Sequence, residues 1–526
     1  MRARRSEGKT ERMNVAEPAR PMVARLATAS TATPAGAEPG GGEPGLPLIL
    51  ALLAAFVLTW TLYFAITEAP VAIKHDMAEA YAWGRQFQLG YNQHPPFWAW
   101  ICGIWFRVFP RSLWAFAMLS SLNAGIGLWG AWAAIGDFAS GRTRMAAWVL
   151  LLLTPLYTFY AYKYNANIIF LSLWPWTLHW FMRSVQTGRT RAALAFGLWV
   201  GLAMLSKYYA LILVGTCFLA ALQHPRRRAY FFSRAPWISA ATAAALLAPH
   251  VWWLVANRAP PLRYLDTTTG WAWPWVRDHV ATAFFGVVGM NLGPMLLVGA
   301  VAWRFPGARG PGDGATTRIL ATLTLVPLLV TLAAGLILRN TITSEMMIGT
   351  FPLLPLLAIR LAGGVDAARL WRVGSRLALA LTLGALVVAP GFAFWRTWYS
   401  PARMKQSPFQ EVAVVATRLW HQRTGLPLDY VGGTYWYDNE TAFYSPDRPH
   451  SFAQFKYSEN LWVTPGKLAR HGLLSICVAG DKICLDATAR FVTPQTTRAK
   501  ITLAHRFWGH TARPVSFVLT FIPPRG

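Results

Sequence analysis

The sequence predicts a polytopic α-helical membrane protein of about eleven spans, followed by a C-terminal α/β domain of different character. Three observations predict it. Hydrophobic residues make up 54% of the 526-residue chain and charged residues only 13%, against about a quarter charged in a soluble domain. From Leu46 onward, apolar segments recur that are long enough to cross a hydrocarbon core of roughly 30 Å. The charge, +27 from 49 Lys+Arg against 22 Asp+Glu, falls in alternate loops, as it does in membrane proteins with basic cytoplasmic loops.

Residues 1–45 are rich in Ala, Pro, Gly, Glu and Arg without an apolar period, so a disordered cytoplasmic tail is expected. It is too long and polar to resemble a cleavable signal peptide. Spans are then expected at 48–67, 112–134, 146–161, 166–183, 192–206, 208–222, 235–256, 280–303, 319–338, 346–361 and 376–395. With the N-terminus inside, the inner loops hold Arg142 and Arg144; Arg189 and Arg191; Arg226, Arg227, Arg228 and Arg234; Arg304, Arg309 and Arg318; and Arg369, Arg372 and Arg376. The short outer loops hold Lys163, Lys207 and Arg339. Orientation thus accounts for the basic charge, and no nucleic-acid partner is expected.

An odd number of spans puts residues 396–526 outside. There, Gln410 to Thr424 has a helical apolar period closed by Gly425 and Pro427. Leu428 to Gly433 reads as a buried strand ending in a turn. Cys102 and Cys217 lie in apolar runs and read as packing residues. Cys477 and Cys484 flank Val-Ala-Gly-Asp-Lys-Ile, which reads as two short strands about a Gly-Asp turn that a disulfide could close. No cysteine spacing makes a zinc pattern. No phosphate-binding or dinucleotide-binding glycine motif is present either.

The chemistry concentrates in the first outer loop, 68–111. It runs Lys74-His75-Asp76-Met77-Ala78-Glu79-Ala80-Tyr81-Ala82-Trp83 and then Leu89-Gly90-Tyr91-Asn92-Gln93-His94-Pro95-Pro96-Phe97-Trp98. A carboxylate at a span's end is costly near lipid and marks function or faces water. Asp76 and Glu79 are three apart and share a face if helical. The local chemistry also fits a solvated interfacial helix anchored by Trp83, Trp98 and Trp100.

Asp76-x-Ala78 with Trp83, then Gly90-Tyr91 and His94-Pro95-Pro96, resembles the first outer loop of membrane glycosyltransferases that use polyprenyl-phosphate sugars. This is the protein O-mannosyltransferase-like family, which includes bacterial lipid A aminoarabinose transferases and galacturonosyltransferases. Gly201-Leu202-Ala203-Met204-Leu205-Ser206-Lys207-Tyr208 and Phe351-Pro352-Leu353-Leu354-Pro355-Leu356 resemble two further stretches of it. Gly432-Gly433 and Phe443 to Pro449 resemble a C-terminal element. The resemblance implies a GT-C-like membrane domain over 46–395 and a periplasmic domain over 396–526. It implies transfer of a hexosyl, pentosyl or uronosyl group from a polyprenyl-phosphate donor on the outer face of a bacterial inner membrane. The acceptor would be a glycan, lipid or protein, with lipid A, its core or another envelope glycoconjugate foremost. Two departures stand out. Met77 replaces the family's second acid. Gln93 stands where many relatives carry an acid, which leaves a divalent metal undecided and no other cofactor indicated.

Such a reaction must deprotonate the acceptor and offset charge on the departing phosphate. The resemblance gives deprotonation to Asp76; Glu79, on the same helical face, either takes over the role of the second acid missing at Met77 or that role is absent. Lys207, His94, Lys163 and Arg339 are the candidates for donor phosphate; the plainer reading of the lysines is snorkelling. Tyr91, Trp83 and Trp273 are candidate substrate contacts; the plainer reading of Trp271, Trp273 and Trp275 is an aromatic belt. A transporter or translocase of lipid-linked sugars is the alternative, although no matching pair of halves is visible.

Overall fold

The computed structural model describes residues 43–307, 313–399 and 407–525. Residues 1–42 of the expected tail lie outside them. Among the described residues, six helices are long and apolar enough to cross a membrane: Leu46–Thr67, Leu113–Gly136, Ala235–Ala256, Trp273–Arg304, Gly314–Ile337 and Ala367–Trp398. Phe170–Thr187, Thr190–Met204 and Ala210–Gln223 are shorter. Small residues let these helices close up: a Cβ on Gly127 would lie 2.1 Å from the Leu171 carbonyl oxygen of the facing helix.

Two expected spans are not continuous helices. Over 146–161, a helix runs only from Gly141 to Leu151, followed by turns and a 3₁₀ segment, Phe159–Tyr162. Pro155 has no N–H to offer the Leu151 carbonyl, which the Thr154 hydroxyl takes instead, and the Thr158 hydroxyl bonds to the Thr154 carbonyl. Over 346–361, a 3₁₀ turn at Ser344–Met347 is separated from the short helix Leu354–Leu361 by Gly349 and Pro352. The loop 68–111, conversely, contains two helices, His75–Gly84 and Phe97–Val108.

The Arg-bearing loops gather at one end of the bundle. The Arg360 guanidinium donates to the Phe138 carbonyl at 3.1 Å, and Gly307 N–H bonds to the Gly364 carbonyl. At the other end, 68–111 meets 152–169, 205–209 and 338–353. The buried Arg396 guanidinium fastens this end, donating to Glu68 at 2.5 and 3.1 Å and to the Thr67 carbonyl at 2.7 Å.

The C-terminal part is α/β. Strands β1 (Tyr430–Gly433), β2 (His450–Ser451), β3 (Leu473–Val478), β4 (Thr497–Leu503) and β7 (Val515–Ile522) form a five-stranded sheet in the order β2-β1-β3-β7-β4. Arg506–Phe507 (β5) and His510–Thr511 (β6) make a separate two-stranded ribbon. β1 is parallel to β2 and β3, with Val431 opposite Leu474; β7 is antiparallel to β3 and β4, with Ile476 opposite Leu519. Phe409, Val412, Ala416 and Trp420, spaced along one face of helix Phe409–Thr424, pack with Leu474, Ile476, Phe517 and Phe521. That helix ends at Gly425 with φ 68°, as the sequence predicts. The cysteine segment is not a hairpin. Cys477 is the penultimate residue of β3, Asp481 caps the helix Lys482–Ala489, and Cys484 on its first turn closes the disulfide to Cys477, with Cα atoms 5.7 Å apart.

The α/β part sits directly on the loop. Ile73 N–H donates to the Tyr444 hydroxyl at 2.9 Å, and Arg111 donates to the Phe443 and Ser445 carbonyls. Arg85 donates to the Arg448 and Pro449 carbonyls, and Gln86 meets His450 at 2.8 Å.

Candidate active site at the loop 68–111

The loop is built around aromatic packing and close backbone contact. The Trp83 and Tyr91 rings stack at 4.9 Å, and the Tyr91 hydroxyl donates to the Trp83 carbonyl at 2.7 Å. Both residues are buried, at 5% and 2% exposure. Neither offers a ring face to solvent; packed on each other, they shape the loop. Gly90 lies against Trp253, where a Cβ would come within 2.4 Å of the indole. Tyr91 N–H closes a turn on the His94 carbonyl, Pro95 and Pro96 follow, and Phe97 N–H bonds to the Leu205 carbonyl just before Ser206-Lys207. The His-Pro-Pro turn and the Ser-Lys turn are thereby joined.

Asp76 lies in the first turn of helix His75–Gly84, where the helix dipole favours a carboxylate. Its Oδ2 accepts from the Asn165 amide at 2.8 Å and faces the Lys163 ammonium at 3.0 Å. Asn165 is itself fixed, since its Oδ1 accepts the backbone N–H groups of Asn167 and Ile168. Lys163 also reaches Glu345, at 3.3 and 3.2 Å from its two oxygens. Lys207 donates to Asn167 Oδ1 at 2.5 Å. Burial alone would raise the Asp76 carboxyl, but Lys163 and the Asn165 bond outweigh it and hold it below its ordinary value. Burial brings Lys207 down to about 8, against the pull of Asp76 and Glu345. Burial and then Lys207 bring His94 to about 3, so its imidazole is neutral and can donate a hydrogen bond.

The structure therefore brings Asp76, Lys163, Lys207 and His94 together, with Glu79 one turn along. The Glu79 carboxyl is pushed well above its ordinary value by burial, then by Asp76, Asp438 and Glu459. Arg339 is elsewhere. It lies over the Trp273 ring at 5.7 Å and donates to the Trp271 carbonyl at 2.8 Å, in a half-exposed group with Trp271 and Trp275. The structure does not bring Arg339 to the group at Asp76. Sequence reasoning missed Asn165, Asn167 and Glu345. The signal was present for Glu345, a lone acid at the edge of an apolar stretch, as Asp76 is. Among the described residues, no three His, Cys, Asp or Glu side chains are grouped to hold a metal ion, and none is assigned as a ligand.

Residues 93–253 match the family described as dolichyl-phosphate-mannose-protein mannosyltransferase. The resemblance read from the loop is borne out. The matched stretch runs from Gln93, beside the His-Pro-Pro turn, to Trp253, which packs on Gly90, and it includes Lys163 and Lys207. Asp76 lies just ahead of it. The fold is similar to that of ArnT from Cupriavidus metallidurans bound to undecaprenyl phosphate, with a TM-score of 0.58 and 14% identity over 90% of this chain and 98% of ArnT. Against apo ArnT from the same organism the TM-score is 0.54, with the same identity and coverage. No curated protein matches the sequence. The likeness to ArnT is one of fold, and it extends over the α/β part as well as the membrane helices.

Proposed function

We propose that this chain is an integral-membrane glycosyltransferase that moves a sugar from a polyprenyl-phosphate donor to an acceptor on the outer, periplasmic face of a bacterial inner membrane. The acceptor oxygen attacks the anomeric carbon with inversion. Its proton passes to Asp76, the bond from carbon to the phosphate oxygen breaks, and the electron pair leaves on the polyprenyl phosphate. Lys163 and Lys207 offset that charge, and neutral His94 donates a hydrogen bond. Residues 46–395 are the catalytic domain and 396–526 the periplasmic domain. Lipid A, its core or another envelope glycoconjugate is the acceptor class the family resemblance favours.

The observation that carries this reading is Asp76, an ionised carboxylate paired with Lys163 within electrostatic reach of Lys207, at the end of the bundle opposite the Arg-bearing loops. A base and two cations in one place are what the transfer needs. The Cys477–Cys484 disulfide agrees with an oxidising outer compartment. The test joins lipid and lipopolysaccharide mass spectrometry of a deletion strain to turnover by the purified protein. Loss of one sugar residue in vivo, with transfer from a polyprenyl-phosphate sugar in vitro, is expected. Donor accumulation on the inner leaflet, with no transfer by the pure protein, would establish the translocase alternative instead.

A further inference from the structure

Lys163 stands between two carboxylates on different elements, Asp76 from the loop helix and Glu345 from the turn Ser344–Met347. An ammonium has three N–H donors. Here Asp76 Oδ2 is one partner at 3.0 Å, and the two Glu345 oxygens share another at 3.2 and 3.3 Å. Asp76 is held independently by Asn165, so it does not depend on Lys163 for orientation. The Glu345 carboxylate, by contrast, is engaged by Lys163 through both of its oxygens.

The charges at this point balance before reaction. Asp76 and Glu345 carry two negative charges, Lys163 and Lys207 two positive ones. Once Asp76 takes the acceptor proton, the set carries one net positive charge just as the phosphate gains one negative charge. The ammonium released by Asp76 must then be where the phosphate is, and not swing away into solvent; its side chain is about one-third exposed.

We propose that Glu345 is a positioning residue: it gives Lys163 a second carboxylate to hold, so that the ammonium stays at the donor phosphate when Asp76 becomes protonated. This rests on the glycosyltransferase reading of the site. Glu345 touches neither substrate nor the reacting atoms and acts through Lys163. The other titratable groups facing Lys163 are His75 and Lys207. Burial favours the neutral Lys163 amine, but Asp76 and then Glu345 outweigh it and keep the ammonium above its ordinary value.

The test has two arms on the full-length protein in detergent. In the first, amine acylation of Lys163 is followed against pH by peptide mass spectrometry, with no turnover required. Glu345→Gln should move the labelling midpoint of Lys163 down by about one unit, the effect of one removed opposite charge at this range. Glu345→Asp should restore it. An unmoved midpoint overturns the proposal. In the second, Glu345→Gln should lower kcat by roughly 10- to 100-fold, the cost of a misplaced group, while the donor KM does not rise, since a negative charge near the phosphate has been removed. In a Lys163→Met background the same substitution should cost nothing further. A rise in KM with unchanged kcat, or a full additional loss without Lys163, overturns it too. If the wild-type protein neither binds nor turns over polyprenyl-phosphate sugars, the functional reading fails, and the labelling arm still decides whether Glu345 holds Lys163.

Discussion

Replacing Asp76 by Asn should separate fold from chemistry at this site. An asparagine has nearly the carboxylate's shape, and its single oxygen can occupy the Oδ2 position, accepting from Asn165 and Lys163 at 2.8 and 3.0 Å. The side chains of the Asp76–Lys163 pair are 34% and 32% exposed, so solvent screens it and its loss costs about 1 kcal/mol or less. Lys163 keeps Glu345 as a counter-ion. Thermal melting should therefore stay near the wild-type value. Proton acceptance disappears altogether, and loss of a general base costs about 100- to 10,000-fold in rate. Glu79→Gln is the matched control. Burial and three nearby carboxylates push the Glu79 carboxyl well above its ordinary value, so its charged form is disfavoured, and the amide variant should turn over at near the wild-type rate. The assay is single-turnover transfer from a polyprenyl-phosphate sugar by both purified variants. A folded Asp76→Asn protein at wild-type rate beside a dead Glu79→Gln would move the base to Glu79. Activity in both would remove catalysis from this loop.

Lys207 should set an alkaline limit: its proton is lost near about 8, so donor KM should rise above that pH, and Lys207→Ala should show the weakened binding at every pH; a wild-type donor affinity in Lys207→Ala would make it a snorkelling residue. A Cβ on Gly84 would lie 2.2 Å from the Ala99 carbonyl oxygen, so Gly84→Ala must spread the two loop helices by about 1 Å, a displacement that costs up to about 100-fold in rate; unchanged kcat would show that the loop tolerates the shift. Asp438, buried with Oδ2 unpartnered, is raised by burial to about 7, so the folded state holds its proton more tightly than the unfolded one and stability falls as pH rises from about 4 to 7. Asp438→Asn should therefore raise the melting temperature at pH 8 (on the order of several kcal/mol of relieved penalty) and leave it unchanged at pH 4; equal melting at both pH values would refute the assignment.

What the sequence made legible was governed by long apolar runs and by backbone-restricting residues. Ala235–Ala256 appears at the expected bounds because nothing within it competes with a spanning helix; Pro249 is accommodated inside the helix. Gly425 marks a real helix stop because only a left-handed residue closes that turn. Hydropathy failed where apolar composition and helicity part company. Residues 146–161 and 346–361 are apolar enough to read as spans, yet Pro155, Gly349 and Pro352 prevent continuous helices. The windowed signal sees oiliness, not missing N–H donors. At the site, Asp76, His94 and Lys207 were readable from a motif. Asn165 and Glu345 were not, because their role is created by tertiary contact between segments 89 and 182 residues apart from their partners.

The two failures of span prediction and the site have the same cause. Irregular backbone near membrane depth is tolerated only where protein rather than lipid surrounds it. Here the broken stretches are largely covered by protein: Thr154, Leu156, Tyr157 and Thr158 are buried in the first, although Phe159 and Tyr160 are exposed, and Met347, Ile348 and Thr350 are buried in the second. Gly349 packs so closely on Phe170 that a Cβ would lie 2.7 Å from its backbone oxygen. Each interruption delivers polar side chains to the level of the Asp76 helix, Lys163 and Asn165 from one and Glu345 from the other. A straight helix through either stretch would present one side chain per turn to the bundle and could not turn Lys163 and Asn165, two residues apart, onto the same carboxylate oxygen. The prolines that spoil the hydropathy reading are thus a condition for the ion-pair cluster. Restoring helicity, for example by Pro155→Ala, should not improve the protein as it would an ordinary span. Any helix gained there would draw Lys163 away from Asp76, so the variant should lose turnover while its melting temperature holds or rises, and a Pro155→Ala protein with full activity would break the link between the interrupted span and the site.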